Sequence, residues 1–555
     1  MNRNTKSHFS ATDNRINIGR SRFDRTSWWK GTMATGKLVP FYVDEVLPGD
    51  TFDMKTSVLA RMSTPIFPVM DNAYLDTYFF FVPNRLVWDH WKQFMGENDV
   101  NAWDSSLDYQ VPALKPNGSN DSLRYTLVDY FGLPCSPSDD DSGTVLYDFN
   151  ALPFRAYQLI WNEWFRDQNL QDPVLIDKGD ADLLLTAGQE MYKVRNACKF
   201  HDYFTSALPA PQKGAAVLIP GFDGSVPVVT SSNYSRSVTG QSPLHFRVAS
   251  TNSNPTTSTL LGVQRNSGVL KAATSDSVTF ETSDLVPNNL YVGTSAGVTI
   301  DALRTAFQIQ KLLWRDANGG SRYTEIIRSH FGVVSPDARL QRPEYLGGKR
   351  VPIQVNQVIQ QSSTDEVSPQ GNTAAYSKTV DSFNGFTKSF TEHGYIIGVC
   401  CIRTDHTYQN GVNRMWSRKD RFDFYFPELA HIGEQAIKNK EIFYDNGYRD
   451  GNNPNEEIFG YQEAWAEYRD RPSFVTGDFR SDSPYSLDAW HYADDYSSTP
   501  VLSAEWIQET DQNVKRTLAY SGEDSNSQWL VDFYFDLKCT RPMPVYSVPG
   551  LVDHF

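Results

Sequence analysis

Apolar and polar residues alternate almost strictly near the end of the chain. Trp529, Val531, Phe533, Phe535, Leu537 and Cys539 take one parity, and Leu530, Asp532, Tyr534, Asp536 and Lys538 the other. A period of two predicts a β-strand with one buried face. The runs 74–82 and 395–402 are apolar at nearly every position, the pattern of central strands covered on both sides. Weaker strand patterns occupy 38–46, 51–59, 351–358, 387–391 and 422–426, several bounded by Pro or Gly. So few strands spread over 555 residues predict a β-core carrying long insertions.

Helical spacing lies between those strands, without a βαβ rhythm. After a cap at Asn84, Val87, Trp88, Trp91, Phe94 and Met95 share one face, and Gly96 stops the turn. Phe154, Tyr157, Trp161, Trp164 and Phe165 form a second stripe. Leu303, Ala306, Phe307, Gln310, Leu313 and Trp314 form a third, after an expected Asp301 cap. A fourth helix is expected over 456–469, ending before Pro472. Such aromatic stripes are read as helix faces packed on the core. From Gly214 to Gly297 the composition changes to Ser, Thr, Gly, Asn and Val with few charges, which predicts an insertion forming a small β-rich subdomain or surface protrusion. The chain thus divides into an arm (1–37), a first part of the core (38–213), the insertion (214–297) and the rest of the core (298–555).

Composition supports a folded protein: 40% of residues are hydrophobic, 13% aromatic and 21% charged. The net charge of −15 argues against a surface that binds polyanions everywhere. Yet residues 1–37 hold eight basic residues (Arg3, Lys6, Arg15, Arg20, Arg22, Arg25, Lys30, Lys37) against Asp13 and Asp24. A basic arm therefore precedes an acidic body, whose residues 99–148 read as Asp-rich solvated loops. The five cysteines are scattered without a C-x-x-C and are expected to be buried small hydrophobes. With no long apolar run and no signal-like leader, the chain is expected to stay in a cytoplasm.

Sequence motifs for chemistry are incomplete. Residues 31–37 spell G-x-x-x-x-G-K, but Leu38 stands where a phosphate-binding loop needs a hydroxyl, and Pro40 blocks the helix that should follow. The segment 445–451 places Gly447 and Arg449 where a calcium loop needs oxygen ligands, and reads as a tight turn. H-E-x-x-H is missing. No catalytic residue, metal ligand or cofactor is assigned. The alternative kept open is a carboxylate pair hidden in a β-protein for glycoside hydrolysis.

Several long phrases resemble the major capsid protein of gokushoviruses, small single-stranded DNA phages of the microvirus family. They include SRFDR (21–25), GKLVPF (36–41), VLPGDTF (46–52), TPIFPVMDN (64–72) and FFFVP (79–83). Further along stand IWNEWFRD (160–167), YTEIIRSHFG (323–332), SPDARLQRPEYLGG (335–348), FGYQEAWAEYR (459–469) and RPMPVYSVPGL (541–551). The resemblance implies an eight-stranded antiparallel jelly roll of viral capsid type with large insertions. It further implies sixty copies in the smallest (T=1) icosahedral shell around circular single-stranded DNA. A jelly roll also suits scattered antiparallel strands with protected edges. A small basic DNA-packaging protein and a scaffolding protein are the partners the family implies, and the 214–297 insertion falls where the family carries a host-contacting protrusion. Arg3, Lys6, Arg15, Arg20, Arg22 and Arg25 could neutralise phosphates while Phe9, Phe23, Trp28 and Trp29 stack on unpaired bases. The same arm could instead tie neighbouring subunits together.

Overall fold

The computed structural model describes residues 19–97, 109–116, 124–134, 148–185, 191–215, 217, 228–230, 246–248, 261–263, 270–272, 285–287, 290–292, 300–320, 322–333, 341–362, 364, 369–446, 453–519 and 525–546. Nine strands build its centre: β1 (Ser21–Asp24), β2 (Ser27–Met33), β3 (Val39–Val46), β4 (Thr51–Met62), β5 (Ala73–Pro83), β6 (Glu344–Pro352), β7 (Thr379–Ser389), β8 (Gly394–Thr404) and β9 (Trp529–Arg541). In one sheet β1 and β2 both pair with β9, which pairs with β4, which pairs with β7. The other runs β6-β5-β8-β3. Every one of these pairings is antiparallel, and the protein is mainly β.

The two sheets share one apolar core. Phe41 of β3 stacks on Phe533 of β9 at 4.3 Å between ring centroids and meets Phe79 of β5 edge-on at 5.4 Å. The alternation in β9 explains this: Trp529, Val531, Phe533, Phe535, Leu537 and Cys539 are all buried, while Leu530 and Tyr534 are exposed. Burying each large apolar side chain stabilises the fold by about 1.5–3 kcal/mol. Trp529 keeps its polar atom satisfied by donating Nε1–H to Thr35 Oγ1 at 2.8 Å.

Strands β5 and β8 are apolar on both faces because a second layer covers them. Phe80, Val82, Ile397, Val399 and Cys401 pack with Phe154, Tyr157 and Ile160 of α1 (Leu152–Ile160) in a separate cluster. Tyr157 crosses that layer satisfied, donating to Leu38 O at 2.7 Å and accepting from Arg195 N–H at 3.0 Å. Gly347 and Gly348 sit where β6 has an irregular register against β5, and a Cβ on Gly348 would lie 1.9 Å from Thr77 O.

Several expectations are corrected. Residues 456–469 are not a helix: Ile458–Glu463 is a strand paired with Glu434–Lys438, followed by a 3-10 turn at Ala466–Tyr468. Pairing overrides the helical spacing, and Gly460 allows the close approach, since a Cβ there would lie 3.0 Å from Ala207. The 422–426 run is no strand either, because 3-10 turns at Arg421–Asp423 and Pro427–Leu429 flank it. The 351–358 run divides between β6 and Val355–Ile359. Asn84 lies inside a 3-10 turn capped by Pro83, and Asp301 falls in the first turn of α2 (Ile300–Gly319).

The chain forms two compact units, Gln212–Gly319 and the remainder. Within the smaller unit, Val228–Thr230 pairs with Leu290–Val292, Phe246–Val248 with Leu285–Pro287, and Leu261–Val263 with Leu270–Ala272. The pairs are nested in sequence, each inside the span of the one before. Among the described residues no helix is long and apolar enough to cross a membrane.

Candidate nucleic-acid and assembly surfaces

Of the basic arm, Arg3, Lys6, Arg15 and Phe9 lie outside the described residues. The rest is drawn into the first sheet through β1 and β2. Arg25 donates to both carboxylate oxygens of Asp44, at 2.5 and 3.0 Å. Burial pulls the Arg25 guanidinium down, but Asp44 outweighs it and holds its pKa above the ordinary value. Arg20 donates to the Thr51 hydroxyl at 2.7 Å, while Arg22 is exposed. Phe23, opposite Cys539, is half-buried. Trp29 packs toward the core against Phe533 and Phe41, whereas Trp28 on the other face is 66% exposed beside Tyr534. The outer face of this sheet alternates in sign, with Lys30 3.5 Å from Asp532 and Asp24 in register with Lys538. The structure therefore gathers these residues on one sheet edge but commits Arg25 and Trp29 to internal partners.

Two charge clusters, each built around buried carboxylates, anchor the ends of β5 and β8. Arg350 binds Asp76 at 2.7 and 3.2 Å, Arg403 also binds Asp76, and both guanidinium groups lie over the Phe200 ring at 4.3 and 4.2 Å. Beyond β8, His406 is held between Asp494 at 2.9 Å and Glu509 at 3.0 Å. Burial alone would lower the His406 pKa, but the two carboxylates overcome it and raise it to about 10. The imidazolium in turn holds the Asp494 carboxyl below the usual range, against its burial. Nothing in this closed arrangement is open to a substrate. Among the described residues no group of three or more His, Cys, Asp or Glu is placed to hold a metal.

A cavity of about 420 Å³ opens beside a third apolar cluster. Tyr203, Phe204 and Tyr408 are buried in its wall, together with Glu441. Glu441 accepts from the Tyr203 hydroxyl at 3.1 Å and from Lys438 N–H at 3.0 Å. Burial pushes the Glu441 carboxyl up, with Arg414 opposing it. Trp416 and Phe474 line the cavity while remaining 75% and 60% exposed. Arg471 and Arg480 also line it, and neither pairs with a carboxylate among the described residues. Alongside, Arg418 binds Glu467 at 3.1 Å and lies over Tyr468, and Arg421 lies over Phe426. No complete motif marks this surface in the sequence; its signal is the interleaving of Arg414, Arg418, Lys419 and Arg421 with Trp416, Phe422, Phe424, Tyr425 and Phe426.

In the insertion, Gly214 is exposed with φ of +85°, a turn conformation that glycine adopts without strain, and Gly297 lies outside the described residues.

The family model described as "Capsid protein (F protein)" matches residues 13–551. Capsid protein VP1 of Bdellovibrio phage phiMH2K is 42% identical over 546 residues, covering 97% of each chain. Capsid protein VP1 of Chlamydia phage 1 is 40% identical over 584 residues, covering 96% of each. That of Spiroplasma virus 4 is 41% identical over 531 residues, covering 93% of this chain and 92% of the relative.

Proposed function

The chain belongs to the Capsid protein (F protein) family, and from that membership we propose that it closes a T=1 icosahedral shell of sixty copies around circular single-stranded DNA. Its relatives are structural capsid proteins, so the chain is a virion component and not an enzyme, and the glycoside-hydrolase alternative falls.

The observation that carries this reading is the strand order. Number the eight strand positions along the chain, counting β1 and β2 together as the first. One sheet then runs first, eighth, third, sixth, and the other second, seventh, fourth, fifth. Two four-position antiparallel sheets interleaved in this way support a jelly roll, which protects strand edges by its double-sheet packing. Long insertions between β5 and β6 and between β8 and β9 supply the surfaces that contacts between copies require.

Assembly takes place in the host cytoplasm with a scaffolding protein. A small basic packaging protein supplies positive charge that this acidic chain lacks. Arg3, Lys6 and Arg15, ahead of the sheet, reach the genome, and Arg20, Arg22, Phe23 and Trp28 extend that contact along the sheet edge. Segment 214–297 protrudes and attaches to the host, its hydroxyl and amide side chains suiting adaptable recognition. Expression of the chain with and without its scaffold, followed by light scattering and negative-stain imaging, tests the reading. Uniform closed shells of several megadaltons are expected; persistent monomers with the scaffold present would overturn it.

A further inference from the structure

We propose that the cavity lined by Trp416, Phe474, Arg471 and Arg480 binds one nucleotide of single-stranded DNA, its base on the aromatic rings and its flanking phosphates on the two arginines. This rests on the reading that the shell encloses such a genome, and goes beyond it by locating a contact far from the basic N-terminal arm.

Charge gives the first reason. On a chain of net charge −15, three arginines line this recess, Arg414, Arg471 and Arg480, against the carboxylates of Glu441 and Glu467. Both carboxylates are already engaged, Glu441 by Arg414 at 3.8 Å with the Tyr203 hydroxyl and the Lys438 N–H, and Glu467 by Arg418. Arg471 and Arg480 have no such partner, so the field offered to a ligand is positive.

The aromatic surface gives the second. Trp416 and Phe474 are large rings left mostly in solvent, although the neighbouring Tyr203, Phe204 and Tyr408 are buried. Exposed rings beside arginines that have no carboxylate partner, Arg471 lying over Phe474 at 5.9 Å, are the composition that binds unpaired bases, because every base has a face to stack and every nucleotide a phosphate. Ser473 and Thr476 add hydroxyls that can donate to or accept from any base edge.

Size and shape give the third. About 420 Å³ lies within the roughly 300–1,000 Å³ range of small-ligand sites. A second protein copy would need about 800 Å² on each partner to bind stably, which a recess of this size does not supply. Duplex DNA keeps its bases stacked inside, out of reach of a recessed ring, so single strands are selected. The face carrying residues 413–416 and 471–480 therefore lines the interior of the shell.

The test uses the purified full chain and a fluorescein-labelled oligothymidylate, with anisotropy read across a salt series. The single strand should bind more tightly than a duplex of equal length. Trp416→Ala should weaken binding by about 5- to 100-fold, and Trp416→Tyr should restore most of it. Joint Arg471→Gln and Arg480→Gln substitution should lower the slope of log affinity against log salt by about 1.4, or 0.7 per phosphate. Affinity unchanged in these variants, equal affinity for duplex, or no binding by the unsubstituted chain would overturn the site. So would loss of shell assembly in Trp416→Ala with oligonucleotide affinity intact, since the recess would then be a contact between copies. Nuclease-protected DNA in purified particles is measured separately, so the enclosure reading can stand or fall without this site.

Discussion

The strand sandwich and the unit spanning Gln212–Gly319 are built on opposite principles. Central strands such as β4 and β9 run for 12 and 13 residues, and their inner faces are filled by aromatics with little or no exposure. The described strands of the smaller unit are three residues long. Its helix α2 buries Ala306 and Ala317 while Phe307, Ile309 and Leu312 remain exposed. Stability concentrated in one region frees the other to change sequence without unfolding the chain. That is the division expected when one part must fit identical neighbours and another must fit a host.

The largest expected effect separates the two regions outright. Deleting residues 225–293 should abolish adsorption to the host while shells still form, as read by binding of labelled particles and by imaging. Particles that adsorb normally would remove the attachment role from the insertion.

A paired substitution sharpens the same comparison in energetic terms. Phe533→Ala removes a ring stacked on Phe41 at 4.3 Å and should destabilise the chain by about 3–5 kcal/mol in urea titrations. Phe307→Ala, on a ring 61% exposed, should change stability by no more than about 0.5 kcal/mol. Equal costs would mean that α2 is buried after all.

The His406 cluster tests whether the sandwich end is held by charge. The imidazole keeps its proton up to about pH 10 in the folded chain, against about 6.5 when unfolded. Its stabilisation is therefore fully present below pH 6.5 and is lost as the pH rises through about 10. His406→Gln removes the cation between Asp494 and Glu509, leaving only Lys199 at 3.9 Å from Asp494, and should cost about 3 kcal/mol at neutral pH. Thermal midpoints followed from pH 6 to 10 should fall toward those of the variant as the unsubstituted protein loses its proton.

What was legible in the sequence follows the same division. The period of two in β9 and the doubly apolar runs of β5 and β8 announce themselves because burial alone decides those residues. The 456–469 segment misleads because Tyr461, Trp465 and Tyr468 also fit helical spacing, and only pairing with Glu434–Lys438, distant in sequence, selects a strand. The recess around Trp416 was invisible for a related reason. Its wall joins Tyr203, Trp416 and Phe474 from three separate stretches, and no local pattern records that meeting. The basic arm was visible as charge, but its partners Asp44 and Asp532 come from elsewhere in the chain.

The smallest effect is expected from that arm, because its residues divide between two kinds of partner. Replacing Arg3, Lys6, Arg15, Arg20 and Arg22 with Gln removes charges without touching the Arg25–Asp44 pair or Trp29, so the sheet should keep its stability. Fewer neutralised phosphates should lower the DNA content of purified particles modestly, if the proposed basic packaging protein supplies much of the remaining charge. Arg25→Gln should do the reverse, lowering the unfolding midpoint through the uncompensated Asp44 while leaving DNA content unchanged. If the five-residue variant instead packaged normally but yielded fewer closed shells, the arm would be a tether between copies. Genome contact would then fall to surfaces elsewhere on the chain.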